Sequence, residues 1–262
     1  MKAVSQRTAD QALSQTEISA QILGIAAEYR RAGRTESEPR SDYPPYLGSA
    51  RRHPKSPLLC VDPEEVESCS PCFGPGDIDP FDANLIAGHP GEPIGERIIV
   101  TGRVLDGAGK PVVGQLIEIW QANASGRYRH QRDQHPAPLD PNFTGVGRCL
   151  TSPDGIYRFL TIKPGPYPWR NHHNAWRPAH IHFSIFGTAF TQRLVTQMYF
   201  PGDPLLELDP IHQSVVDPAA RSRLIATYDH DLSQPEYATG YRWDVVLNGD
   251  RRTWTEIGGD SA

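Results

Sequence analysis

The sequence is poor in several features that mark whole classes of protein. It has no apolar run long enough to cross a membrane; Ile22 to Ala27 spans six residues and contains Gly24. Its N-terminus has no apolar segment of the secretory kind. A cytoplasmic protein is the expectation. Basic charge is not in excess: 26 Lys and Arg face 31 Asp and Glu, a net charge of −5 that gives no footing for nucleic acid as a partner. Cysteine is scarce, with Cys60, Cys69, Cys72 and Cys149 alone. In a cytoplasmic chain these read as thiols. Cys69-Ser70-Pro71-Cys72 has metal-ligand spacing, but no second pair follows, so it reads as surface or structural thiols and not as a zinc site. Internal repeats and low-complexity tracts are absent too.

Turn formers are abundant. With 23 Gly and 25 Pro in 262 residues, short strands are favoured over long helices, and the length suits one large all-β domain or two small ones. Near the N-terminus, Ser14-Gln15-Thr16-Glu17 has the capping-box pattern. Ile18, Ile22, Ile25 and Tyr29 follow at helical spacing and predict a helix over about 15–31. Residues 32–57 are charged and Pro-rich, an extended arm carrying Tyr43-Pro44-Pro45-Tyr46 and Arg51-Arg52-His53-Pro54. Asp62-Pro63 could start a short helix.

Regular strand alternation begins at Arg97. Ile98 to Val104, a turn at Asp106-Gly107-Ala108-Gly109 and a return over Val112 to Trp120 predict a strand–turn–strand unit. Residues 121–148 form a long polar stretch. Strands are expected over Ile156 to Ile162, Ala179 to Phe186, Arg193 to Phe200, Tyr241 to Leu247 and Arg252 to Thr255. A helix capped by Asp217-Pro218 should run to about Tyr228, with Leu224, Ile225 and Tyr228 inward. The expected fold is mainly β: a β-sandwich with long ligand-bearing loops, a few short helices, and an N-terminal helix plus extended arm. The expected division is residues 1–96 as helix and arm, and 97–262 as the catalytic sandwich.

The chain is organised around 164–203. In the strand there, Ile181, Phe183 and Ile185 point one way and His180, His182 and Ser184 the other. Taken alone, a His-x-His pair reads as the solvent face of a half-buried strand. Its company changes the weighing: Tyr167 and Arg177 just before it and Tyr128 upstream. Two phenolates and two imidazoles make a hard, charged donor set that suits ferric iron better than zinc or magnesium. Ionising a free tyrosine at pH 7 costs roughly 4 kcal/mol, so only a strongly Lewis-acidic ion offsets that twice. Without such an ion the tyrosines are packing residues. If the histidines are ligands, Arg177 stands at the metal's edge, where fixed positive charge could stabilise developing negative charge.

Gly126-Arg127-Tyr128-Arg129-His130, Thr161-Ile162-Lys163-Pro164-Gly165-Pro166-Tyr167-Pro168-Trp169, Trp176-Arg177-Pro178-Ala179-His180-Ile181-His182-Phe183 and Thr196-Gln197-Met198-Tyr199-Phe200-Pro201-Gly202-Asp203 resemble the intradiol ring-cleavage dioxygenases. Within that family they resemble the iron-bearing β subunits that act on protocatechuate. The resemblance runs from about Tyr43 to the C-terminus, with His172-His173 in a variable loop. It implies one Fe(III) per chain on Tyr128, Tyr167, His180 and His182, with Tyr167 and His182 axial. It also implies a catechol that chelates the iron and displaces Tyr167, and O₂ inserted between the two hydroxylated carbons in aromatic catabolism. Arg177 would stabilise the carbanion-like ring. Tyr46, Trp120, Trp169, Gln197 and Ile211 match pocket or second-sphere positions, although the tryptophans and Ile211 read equally as core. A homologous, iron-free α subunit is the implied partner, in a higher αβ oligomer.

Three alternatives stand beside this. A zinc hydrolase would use the histidines but lacks an evident Glu base and leaves the tyrosines unexplained. A non-enzymatic binding sandwich fits the stretch from Val100 to Val112 as scaffold. An intradiol enzyme for catechol or hydroxyquinol would carry a larger helical N-terminal region than this chain offers.

Overall fold

The computed structural model describes residues 75–169, 175–186 and 193–254, with Thr16, Ala20 and Ser56 as isolated further positions. Thr16 and Ala20 are helical and exposed. The rest of the helix expected over 15–31 lies outside the described residues. So do the arm with Tyr46 and Arg52, the helix start at Asp62, the thiols Cys60, Cys69 and Cys72, and His172-His173. Residues Met1–Gly33 cluster as one compact unit and Arg34–Ala262 as another.

The described part of the larger unit is a β-sandwich. One sheet is built on β1 (Arg97–Leu105). On one side β1 pairs antiparallel with β4 (Ile156–Ile162). On the other it pairs in parallel with β10 (Thr239–Arg242) and then β11 (Val245–Val246). The short β9 (Thr227–Tyr228) adds to β10. The second sheet runs β3 (Val146–Leu150), β2 (Leu116–Gln121), β7 (His180–Phe186), β8 (Arg193–Tyr199). A separate hairpin pairs β5 (Tyr167–Trp169) with β6 (Ala175–Arg177). Two short helices, α1 (Pro210–Ser214) and α2 (Pro218–Ser222), each start at an Asp-Pro pair. There the Asp side chain takes the first free amides and Pro needs none.

The core lies between the sheets. Ile98, Val100, Val104, Tyr157 and Phe159 from the first meet Ile117, Ile119, Ile181, Phe183, Ile185 and Met198 from the second. Phe183 is its centre, edge-on to Tyr157 and Phe159 at 5.8 Å each and to Trp243 at 4.8 Å. Aromatic pairs in this geometry add to the area they bury.

The strand–turn–strand reading of 97–120 needs correcting. The turn is present: Asp106 Oδ1 accepts from the amides of Ala108 and Lys110, and Gly109 sits at φ 84°. The return, however, is not a ladder. It makes one bridge, Leu105 to Pro111, closed by the bonds from Asp106 N to the Lys110 carbonyl and from Val112 N to the Val104 carbonyl. Leu105 and Pro111 form the non-hydrogen-bonded pair of that bridge, and Gly114 at φ 65° turns the chain into the other sheet. β2 therefore starts at Leu116 and pairs with β3 and β7, not with β1. The helix after Asp217 ends at Ser222, so Tyr228 is a strand residue, 52% exposed and not inward. Arg252 to Trp254 forms no strand.

Candidate metal centre

Backbone chemistry in two loops brings the two tyrosines together. Asn123 closes the first loop: its Oδ1 accepts from Ser125 N and Arg127 N, and its carbonyl accepts from Gly126 N and Gly165 N. Gly126 is at φ 75°, and a side chain there would strike the Pro166 carbonyl, 2.2 Å from its Cβ position. Gly165 likewise backs onto the Ala124 carbonyl at 2.3 Å. Only glycine permits this approach, and it sets the Tyr128 loop against the start of β5. Asp133 then holds Tyr128 by its amide, Oδ2 accepting at 2.7 Å. The rings of Tyr128 and Tyr167 meet edge-to-face at 5.5 Å.

The histidines arrive on β7. Ile181, Phe183 and Ile185 are buried in the sandwich core as their alternation predicts. The opposite face is not a solvent face: His180 is 2% exposed, Ser184 is also buried, and His182 is half-buried. His180 Nδ1 stands 2.7 Å from the Pro178 carbonyl, which can only accept, so the proton is on Nδ1 and the Nε2 lone pair is free to bind. Burial, reinforced by Arg177 and His182, pushes the His180 pKa well below the ordinary histidine value, so the ring is neutral. Both phenol oxygens, of Tyr128 and Tyr167, stand 3.4 Å from that Nε2. The His180 and His182 rings are 4.9 Å apart, and Tyr128 is 6.2 Å from the His182 ring.

This donor set fits a metal ion. Donors each about 2 Å from a common ion stand roughly 3–3.5 Å apart, which is the spacing of the two hydroxyls from Nε2. Among the described residues no group of three or more His, Cys, Asp and Glu could hold a metal. The phenols are what complete the set, and oxygen donors of that kind select a hard, highly charged ion.

Of the other residues singled out by sequence, Trp120 lies opposite His182 in the β2–β7 register and stacks on its ring at 4.8 Å and 4°. Gln197 lies opposite His182 on β8 and is buried. Trp169 is half-buried, with the Arg177 guanidinium carbon 5.4 Å above its ring. Ile211 is buried on α1 as a member of the core cluster. Tyr46 is outside the described residues.

Arg177 is not a surface residue; it is 2% exposed. Its Nε is 2.8 Å from Asp209 Oδ1 and its Nη2 is 3.1 Å from Asp209 Oδ2. Nη2 also donates to Gln197 Oε1 and reaches the Tyr199 hydroxyl at 3.1 Å. Burial acts to lower its pKa, but Asp209, Tyr167 and Tyr199 outweigh it and hold the guanidinium charged. Sequence reasoning missed Asp209 and Tyr199. Tyr199 had a usable signal, since it alternates with Gln197 on one face of β8 and pairs with His180. Asp209 had none beyond its capping pattern.

The profile of a dioxygenase family matches residues 68–249. The β chain of protocatechuate 3,4-dioxygenase from Burkholderia cepacia is 55% identical over 215 residues, 81% of this chain and 91% of that one. Hydroxyquinol 1,2-dioxygenase from a Rhizobium species is 32% identical over 58% of this chain and 53% of its own. Among solved structures, hydroxyquinol 1,2-dioxygenase from Pseudomonas putida superimposes with a TM-score of 0.52 at 24% identity, over 93% of this chain and 85% of that one. At that identity it bears on the fold alone. No helix among the described residues is long and apolar enough to cross a membrane.

Proposed function

The chain belongs to the intradiol ring-cleavage dioxygenases, and from that premise we propose that it is the iron-bearing β subunit of a protocatechuate 3,4-dioxygenase, converting protocatechuate and O₂ to 3-carboxy-cis,cis-muconate in the β-ketoadipate route of aromatic catabolism. The observation that carries the reading is the convergence of Tyr128 and Tyr167 on the Nε2 lone pair of a buried, neutral His180. Tyr128, Tyr167, His180 and His182 would hold the ion. Ferric iron, when bound, supplies the Lewis acidity that offsets two phenolates and activates a chelated catecholate towards O₂.

The chain's own groups do the rest. Pro178 fixes the His180 tautomer through Nδ1, and Trp120 fixes the plane of His182 by stacking. Tyr128 and Tyr167 would hold the ion as phenolates, and Tyr167, on the short hairpin β5–β6, would be the residue to accept a catechol proton. Arg177 lies opposite Tyr167 in that hairpin and presents a fixed positive charge to the ring as it becomes electron-rich. The ring carboxylate of protocatechuate needs a donor once desolvated. Tyr46 is a candidate, and a cation from a partner chain is another.

The test is optical and chemical. As-isolated protein is expected to be reddish, with a tyrosinate-to-iron charge-transfer band, a high-spin ferric signal and about one iron per chain. Colourless protein with stoichiometric zinc and full turnover would overturn the metal. In a second test the chain is expressed with and without a homologous α chain; relatives named as α chains are about as similar as 30% identity. Residues 1–96 serve as subunit contact in this reading. The pair is expected to form a stable αβ unit that assembles further and prefers protocatechuate, while the single chain is poorly soluble or weakly active. A fully active homo-oligomer preferring catechol or hydroxyquinol would replace both the partner and the substrate.

A further inference from the structure

We infer that Asp209 is a positioning residue for ring cleavage: with Tyr199 and Gln197 it locks the Arg177 guanidinium in one orientation and leaves Nη1 for the substrate. The inference rests on the proposed function, in which Arg177 meets negative charge on the bound ring.

Asp209 is 0% exposed, and every acceptor direction of its carboxylate is engaged. Oδ1 faces Arg177 Nε at 2.8 Å and accepts from Ile211 N at 3.2 Å. Oδ2 accepts from Arg177 Nη2 at 3.1 Å and from the Tyr199 hydroxyl at 3.0 Å. Gln197 Oε1 takes Nη2 as well, and the Tyr199 hydroxyl stands 3.1 Å from that same Oε1. The guanidinium is a planar fork with fixed donor directions. The hydrogen bonds at Nη2 and the ion-pair contact at Nε restrict its plane and its rotation, and the Trp169 ring bounds one side. Nη1 has no hydrogen-bond partner among the described residues.

A merely structural ion pair has no need of this arrangement. Buried charge pairs are often replaceable by apolar groups without loss of stability, whereas here a carboxylate and two neutral side chains converge on the two nitrogens away from Nη1. Asp209 caps α1, and Asp203 ties the same segment to β7 through Ala179 N at 3.0 Å and to Leu205 N at 2.9 Å. A donor fixed before the reaction loses no freedom when charge develops, so its effect belongs in kcat and not in KM.

The test is a double-mutant cycle on the iron-loaded enzyme, with Asp209→Asn, Arg177→Gln and the pair combined. Asp209→Asn keeps the cap to Ile211 but weakens the grip on the fork. It is expected to lower kcat by about 10- to 100-fold, the range for losing an orienting partner, with the charge-transfer band and iron content unchanged. The double variant is expected to match Arg177→Gln within about twofold, because the two act as one unit. Tyr199→Phe, which leaves the ion pair whole, is expected to lower kcat with KM and the band unmoved, and it decides the matter if Asp209→Asn does not fold. Wild-type kcat in Tyr199→Phe together with wild-type kcat in a folded Asp209→Asn overturns the inference, as does a double variant roughly tenfold below Arg177→Gln. If the unsubstituted protein shows neither band nor turnover, the ferric reading itself fails, an outcome separate from any in the cycle.

Discussion

Ile181→Asp is expected to abolish folding, and His182→Ala, one residue along the same strand, to fold and lose iron. The two side chains leave β7 on opposite faces. Ile181 is 0% exposed in the core between the sheets, with Met198 beside it in register. Losing its aliphatic volume costs about 2–5 kcal/mol, and burying a carboxylate with no partner adds several kcal/mol more. Together these rival the roughly 5–15 kcal/mol that hold a whole domain. His182 is half-buried, and its ring stacks on Trp120 and meets the His180 and Tyr128 rings of the site. Its removal leaves the sandwich core untouched. Thermal melts by circular dichroism, paired with metal analysis and visible spectra, separate the cases. If His182→Ala keeps its iron and its colour, His182 is not a ligand.

That contrast also marks how far the sequence could be read. The alternation along 180–186 identified the core face of β7 from the residue types alone. It could not tell that the other face is covered as well. The cover comes from Tyr167 and Arg177 on the β5–β6 hairpin and from His212 on α1, whose ring lies 5.1 Å from Tyr199. The strands of that hairpin have three residues each, too few for alternation to show. β3 was hidden differently. It lies at the end of the long polar stretch, and Gly147 at its second position breaks the apolar pattern because a side chain there would strike Leu85 and the Asp82 carbonyl. The four candidate ligands were legible through motif resemblance. Asp209 was not: Asp-Pro before a short helix already has a sufficient local explanation as a cap, and its partner Arg177 is 32 positions away.

Arg177→Leu is expected to cost the enzyme twice, and the structure separates the two losses. On the chemical side, removing one preorganised donor to developing charge lowers kcat by about 10²–10³-fold. The iron and its charge-transfer band should persist, because Arg177 is not among the donors. On the stability side, the variant strips Asp209 of its cation. A buried carboxylate left without its partner destabilises a fold by about 3–5 kcal/mol, and Asp209 has no solvent to turn to. Arg177→Leu should therefore melt well below the parent as well as turn over slowly. Adding Asp209→Asn in the same chain removes the stranded charge, so the double variant should recover much of the lost stability and none of the lost rate. Arg177→Lys gives the third point. It keeps a positive charge for Asp209 but not the fork that engages Asp209, Gln197 and Tyr199 at once. It should hold more stability than Arg177→Leu while remaining far below the parent in kcat. Steady-state kinetics and denaturant melts on these variants test both halves. Near-parental kcat in Arg177→Leu would remove Arg177 from the chemistry, and an unchanged melt would mean that the buried pair with Asp209 contributes nothing to holding the fold.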